Sequence, residues 1–213
     1  MQRDGVRLRH GLARRLGVAS LALAGVLAAT PPAGAVDARR PDAAMVPIRG
    51  AAAAPAGASH LCQTLDWACA STGRRMAIDA AAMDVVRAIN ARANRSVRSI
   101  SDMQQYRVAE RWALPTARGG DCEDYAIYKK LELIKAGFPP EQLLIATVLD
   151  RKRQSHAVLV LRTGAQDLVL DNLTSRIVPW NKTGYTFLRM QDPRQPTRWV
   201  SVLAGGIMGG SGS

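Results

Sequence analysis

Apolar positions follow two different rhythms along this chain. Across residues 79–94, Ala82, Val85, Val86, Ile89 and Ala93 recur every three or four positions, the spacing of one helical face. A shorter helix is predicted over 101–110, with Ser101 or Ser99 as its cap, and a third over 121–136. Gly137 ends the third, and Pro139-Pro140 prevents its continuation. Beyond that point the pattern changes. Residues 143–149, 156–162, 167–171, 185–190 and 199–203 are short runs of Val, Leu and Ile between turn residues, the pattern of strands. Helices first and antiparallel-looking strands afterwards predict an α+β fold, with N-terminal helices packed on one side of an antiparallel sheet.

The ends of the 213-residue chain read differently. Arg3, Arg7, Arg9, Arg14 and Arg15 precede an apolar run over 16–29, and Ala33-Gly34-Ala35 offers an A-x-A-like cleavage site. Residues 1–35 are therefore expected to be an export signal. The apolar run is short for a ~30 Å hydrocarbon core, so no stable span is expected after cleavage. Arg14-Arg15 lacks the rest of a twin-arginine signal, which leaves the export route open. Residues 36–58, rich in Ala, Pro and Gly, are expected to form a flexible tether. The folded domain then covers 59–204, and 205–213 form a flexible Gly/Ser tail.

Charge narrows the function classes. Residues 1–35 carry five Arg and one Asp, so their removal lowers the net charge from +12 to about +8. The remaining cations (Arg74, Arg87, Arg92, Arg95, Arg98, Arg151, Arg153) are scattered, and aromatics are few, which argues against a nucleic-acid partner. A solvated basic surface facing acidic partners or the envelope fits better.

Three cysteines lie beyond the expected signal: Cys62, Cys69 and Cys122. In an oxidising compartment Cys62 and Cys69, seven residues apart in a polar stretch, form the natural disulfide. The rival is a metal site on His60, Cys62 and Cys69, but no fourth ligand follows. Cys122 is left over. It stands in Gly119-Gly120-Asp121-Cys122-Glu123-Asp124-Tyr125, where the glycines permit a sharp turn and Asp121 is a good N-cap. A cysteine at the first helical position meets free N–H groups and the positive end of the dipole, which favour thiolate and can hold an oxyanion. Three carboxylates oppose this by raising the thiol pKa. A bound cation resolves the conflict, and the hard oxygens of Asp121, Glu123 and Asp124 suit calcium. No organic cofactor is implied.

A nucleophilic cysteine needs a base. Beyond residue 35 the chain has two histidines, His60 and His156, and His156 opens an apolar strand after a polar turn. Asp171 ends the next strand. Pairing the two strands through the 163–166 turn brings Asp171 beside His156, where a carboxylate fixes the imidazole tautomer. Asn172 is an alternative orienter. Taken singly, each residue has a plainer reading: a core cysteine, a turn histidine, an Asx turn.

Over residues 61–203 the sequence resembles the bacterial transglutaminase-like cysteine peptidases, a branch of the papain-like superfamily. The resemblance rests on Gly120-Asp121-Cys122-Glu123-Asp124-Tyr125-Ala126, His156-Ala157-Val158-Leu159 and Leu170-Asp171-Asn172. Asn90, Asn94, Asp102 and Arg111-Trp112 before Pro115 also match. It implies a papain-like α+β core, a Cys122–His156–Asp171 triad, and a calcium site on Asp121, Glu123 and Asp124. Better understood relatives are periplasmic, calcium-dependent proteases that release adhesins from the cell surface. The expected activity is thus hydrolysis of a peptide bond in an envelope or surface protein by a periplasmic or secreted enzyme. The Cys122 backbone N–H is one oxyanion donor, and Trp112, Gln104 and Gln105 are candidates for the second. The same residues would serve a transamidase, and a non-catalytic calcium-responsive binding module is the alternative from another class.

Overall fold

The computed structural model describes residues 44–208; the expected export signal and most of the expected tail lie outside them. Helix α1 (Leu61–Thr64) is a single turn. Helix α2 (Ala80–Ser96) begins where Asp79 caps it by accepting the Ala82 N–H at 2.8 Å. Its inner face is Ala82, Val86, Ile89 and Ala93, whereas Val85 turns to solvent. Helix α3 (Asp102–Tyr106) carries the Ser101–Gln104 capping box and stops short of the predicted residue 110, because Arg107 leaves the helix at φ +63°. Helix α4 (Cys122–Lys135) spans almost the predicted length.

Seven strands form one antiparallel sheet: β1 (Gly50–Ala52), β2 (Leu143–Leu149), β3 (Ser155–Arg162), β4 (Asp167–Leu170), β5 (Val178–Pro179), β6 (Thr186–Gln191) and β7 (Trp199–Ala204). Their spatial order is β1-β7-β6-β2-β3-β4-β5. Alternation along the strands sorts side chains into two cores. Leu143, Ile145, Leu159, Leu161, Leu168 and Leu170 pack with Val86, Ile89, Ile127 and Leu133 of the helices. Leu144, Val148, Val158, Val160, Phe187 and Val202 build the other core, on the opposite face. The fold is α+β, as the change of rhythm predicts.

The expected tether is corrected over its described part. Val46 is buried in the second core, and its N–H donates to Asp167 Oδ2 at 2.8 Å. Residues 50–52 pair with 199–201 as edge strand β1, and Ala58 is buried against the helical core. Small residues without a bulky periodic pattern can complete a sheet edge, because main-chain bonds rather than side chains hold it. Among the described residues no helix is long and apolar enough to cross a membrane.

Cys62 and Cys69 are disulfide-bonded. His60 is exposed and its Nδ1 lies 3.0 Å from Gln63 Oε1, so the rival metal site does not form.

Candidate active site

The Gly119-Gly120 pair places the N-terminus of α4. Gly119 has φ +122°, and a Cβ there would stand 1.9 Å from the Arg98 carbonyl oxygen. A Cβ on Gly120 would meet Asp124 Oδ2 at 2.5 Å. The close approach is thus to the protein's own backbone: Gly120 N–H donates to Arg98 O and Ile100 N–H to Gly120 O. Asp121 does not cap α4 through its side chain. Its Oδ2 accepts the Asp102 N–H at 3.0 Å, and its Oδ1 is buried without a partner.

Cys122 is half-buried at the first position of α4 and shares a cleft of about 730 Å³ with His156, Glu123, Trp112 and Ala157. His156 and Asp171 come together as the hairpin argument predicts, with Nε2 to Oδ1 at 2.8 Å and both side chains buried. Since Nε2 is engaged, Nδ1 is the ring nitrogen left for a proton from the thiol. Tyr185, which the sequence showed only as the start of a strand, donates its hydroxyl to Asp171 Oδ2 at 2.6 Å and packs edge-on against the imidazole. Asp171 Oδ1 also accepts the Leu173 N–H, so the Asx turn and the histidine partner are one residue. Burial opposes ionisation of Asp171, yet the bonds from His156, Tyr185 and Leu173 hold its carboxyl below the usual value. Asn94 grips the Asp171 carbonyl at 2.8 Å and Asn90 the Ser175 carbonyl at 3.1 Å, so α2 fixes this turn. Asn172 has a buried, unpartnered Oδ1 and no bond to His156.

On the other side of the thiol the environment is acidic. Cys122 Sγ donates to Glu123 Oε2 at 3.2 Å and accepts the Ala157 N–H. Burial, then the Glu123 carboxylate, push the thiol well above its ordinary pKa. Burial, then the charge of Asp121, push Glu123 up to about 9, and burial raises Asp124 to about 7. Ligand oxygens of Asp102, Asp121 and Glu123 all lie within 4.8 Å of one another. This group includes Asp102, which the expected set did not contain, and not Asp124, whose Oδ1 takes the Ala113 N–H at 3.0 Å while its Oδ2 is buried without a partner. Hard, crowded, under-partnered oxygens fit a divalent cation such as calcium.

Of the oxyanion candidates, Trp112 lines the cleft, is buried edge-on against Trp199, and donates Nε1 to Glu110 at 3.3 Å. Gln104 and Gln105 do not line it. Gln104 Oε1 accepts the Ser101 N–H in the α3 capping box, while Gln105 donates Nε2 to the Gly119 carbonyl and accepts the Thr116 hydroxyl.

The family model of the bacterial transglutaminase-like cysteine proteinases matches residues 48–206. The chain belongs to this family. It is a cysteine peptidase, and the match begins close to β1 rather than at residue 59. Similar solved structures include calcium-bound LapG of Legionella pneumophila, 23% identical, covering 61% of this chain and 74% of that one with a TM-score of 0.49. A second LapG structure from that organism is 24% identical over 52% and 63% of the two chains, with a TM-score of 0.43. The EGTA-treated form is 22% identical over the same shares, with a TM-score of 0.42. No curated protein matches.

Proposed function

We propose that this peptidase is exported and cleaves a peptide bond of an envelope or surface protein, using Cys122 as nucleophile, His156 as base and Asp171 as orienter. The observation that carries the reading is the shared cleft of Cys122 and His156, with the imidazole held from behind by Asp171 and Tyr185. His156 Nδ1 takes the Sγ proton, and the thiolate attacks the substrate carbonyl. The Cys122 N–H, at a helix start with no intrahelical partner, receives the oxyanion. Trp112 lines the cleft and would supply a second donor on releasing its Nε1–H from Glu110. His156 then protonates the leaving amine, and water hydrolyses the thioester.

Asp102, Asp121 and Glu123 would hold calcium. When bound, calcium supplies positive charge that offsets the carboxylates raising the thiol pKa. In the geometry described, Glu123 accepts the thiol proton's hydrogen bond, which stabilises the thiol rather than the thiolate. Withdrawal of Glu123 from Sγ leaves His156 as the proton acceptor.

The test is to incubate the wild type and Cys122→Ala with the organism's envelope fraction in calcium and to identify new protein termini. Termini that depend on Cys122 support the reading; identical termini in both samples sink it. Repeating the reaction with an added primary amine separates hydrolysis from transamidation, since only transamidation leaves the amine on the product.

A further inference from the structure

The cleft extends past Cys122 and His156 over a part of the sheet that the helices leave bare. Strand register defines its floor. Ala157 pairs with Thr147, Thr147 with Arg189, Arg189 with Ser201, and Ser201 with Gly50. This row crosses five strands from the neighbour of the nucleophile to the sheet edge, and four of its five residues are small. Arg189 is the one long side chain in it, and it is exposed.

Arg189 reaches this face through a break in strand alternation. Phe187, two residues earlier, packs into the second core, so an unbroken strand would bury position 189 on that side too. The register of β6 against both β2 and β7 shifts between Phe187 and Arg189. Leu188 is the extra residue opposite β2, and opposite β7 the irregularity contains Leu203, at φ +47° and exposed. Bulges re-aim side chains, and a non-glycine residue in the left-handed region stores strain that is commonest beside functional sites. Leu188, Arg189 and Leu203 all line the cleft.

The guanidinium has no ion-pair or hydrogen-bond partner among the described residues. The cleft's two acids are otherwise engaged, Glu110 by Trp112 Nε1 and Glu123 by the thiol. We infer that Arg189 is a specificity residue whose guanidinium receives the carboxylate of an Asp or Glu about three residues from the scissile bond of an extended substrate segment. The spacing follows from the row. Arg189 stands two strands from Ala157, roughly 10 Å, which an extended peptide covers in about three residues at ~3.3 Å each. Thr147 and Ser201 beside it leave room for a bidentate carboxylate contact. This deepens the peptidase reading and rests on it.

The test pans a displayed random-peptide library against the full chain carrying Cys122→Ala, in calcium. Acidic residues should be enriched at least about tenfold at one fixed position. Adding Arg189→Glu should move that position to Lys or Arg, and Arg189→Gln should flatten it. Arg95→Glu, an equal change of net charge on an exposed residue of α2, should leave the profile unchanged. The inference is overturned if nothing is enriched, if Arg189→Glu keeps the acidic preference, or if Arg95→Glu abolishes it equally. Incubating the enriched peptides with the Cys122 enzyme tests the underlying reading separately. Arg189-dependent binding without cleavage leaves the acidic subsite standing and refutes hydrolysis of such segments.

Discussion

The two sides of Cys122 are built in opposite ways. On the strand side, His156, Asp171 and Tyr185 are buried and mutually bonded, and Asn94 ties their turn to α2. On the helix side, Asp102, Asp121, Glu123 and Asp124 crowd together, with buried oxygens of Asp121 and Asp124 lacking partners. A network whose groups are satisfied holds its geometry without help, whereas a half-satisfied acidic cluster destabilises itself until a cation or proton arrives. Under the proposed mechanism, the base is preorganised and the nucleophile conditional.

The largest effect expected is from Cys122→Ala, which should lower kcat/KM at least about 10³-fold with little change in melting temperature. A variant retaining activity would remove the thiol from the chemistry. Calcium should come next. Chelation should slow cleavage about tenfold or more, and calcium at about 100 times its Kd should raise Tm by roughly 5–10 °C. Asp121→Asn should abolish that rise yet melt higher than wild type without cation, because it removes like-charge crowding. If its cation-free Tm falls instead, the helix side is not strained as described.

Tyr185→Phe probes the opposite side. Loss of a hydrogen bond to a buried carboxylate, about 1.5–3 kcal/mol, should cut kcat about tenfold or more. The calcium-induced Tm shift should stay intact, and a loss of that shift would mean the two sides are not separable.

The smallest effect concerns Lys130, fully buried on α4 with Nζ 2.9 Å from Gln191 Oε1. Burial lowers its pKa to about 7, against the pull of Glu141. The unfolded chain therefore binds more protons between pH 7 and the ordinary lysine value of about 10.4. The cost of burying the ammonium is full below pH 7 and fades as pH rises through that window. Lys130→Met should raise Tm more at pH 6 than at pH 9, a difference that parallel thermal melts would detect; an equal shift at both pH values would contradict the assignment.

Elements carried by bulky side chains were legible in the sequence: α2, α4, β2, β3, β6 and β7 lie near their predicted bounds. Strand β1 was not, since Gly50-Ala51-Ala52 has no apolar alternation and is held by main-chain bonds to β7. The Cys62–Cys69 pairing and the nearness of His156 to Asp171 followed from chain distance and hairpin symmetry. The partners of Asp171 did not, because Tyr185 reaches it across the fold from a position whose pattern says only strand. The approach of Asp102 to this acidic cluster was not legible either, because Asp102 lies nineteen residues before Asp121 and reaches it through the Asp102 N–H to Asp121 bond. Arg189 could not be foreseen as a cleft residue, because only the bulge decides which way it faces.

The stretch from Val46 to Gly57 changes what counts as the minimal unit of this protein. Ala52, Ala53, Pro55, Ala56 and Gly57 form a wall of the cleft, while β1 covers one sheet edge. A fragment beginning at residue 59 would keep Cys122, His156 and Asp171 but expose β7 as a raw edge and open the cleft on one side. Trimming intended to tidy the N-terminus would thus yield a sticky protein with its chemical groups present and its substrate path unbounded.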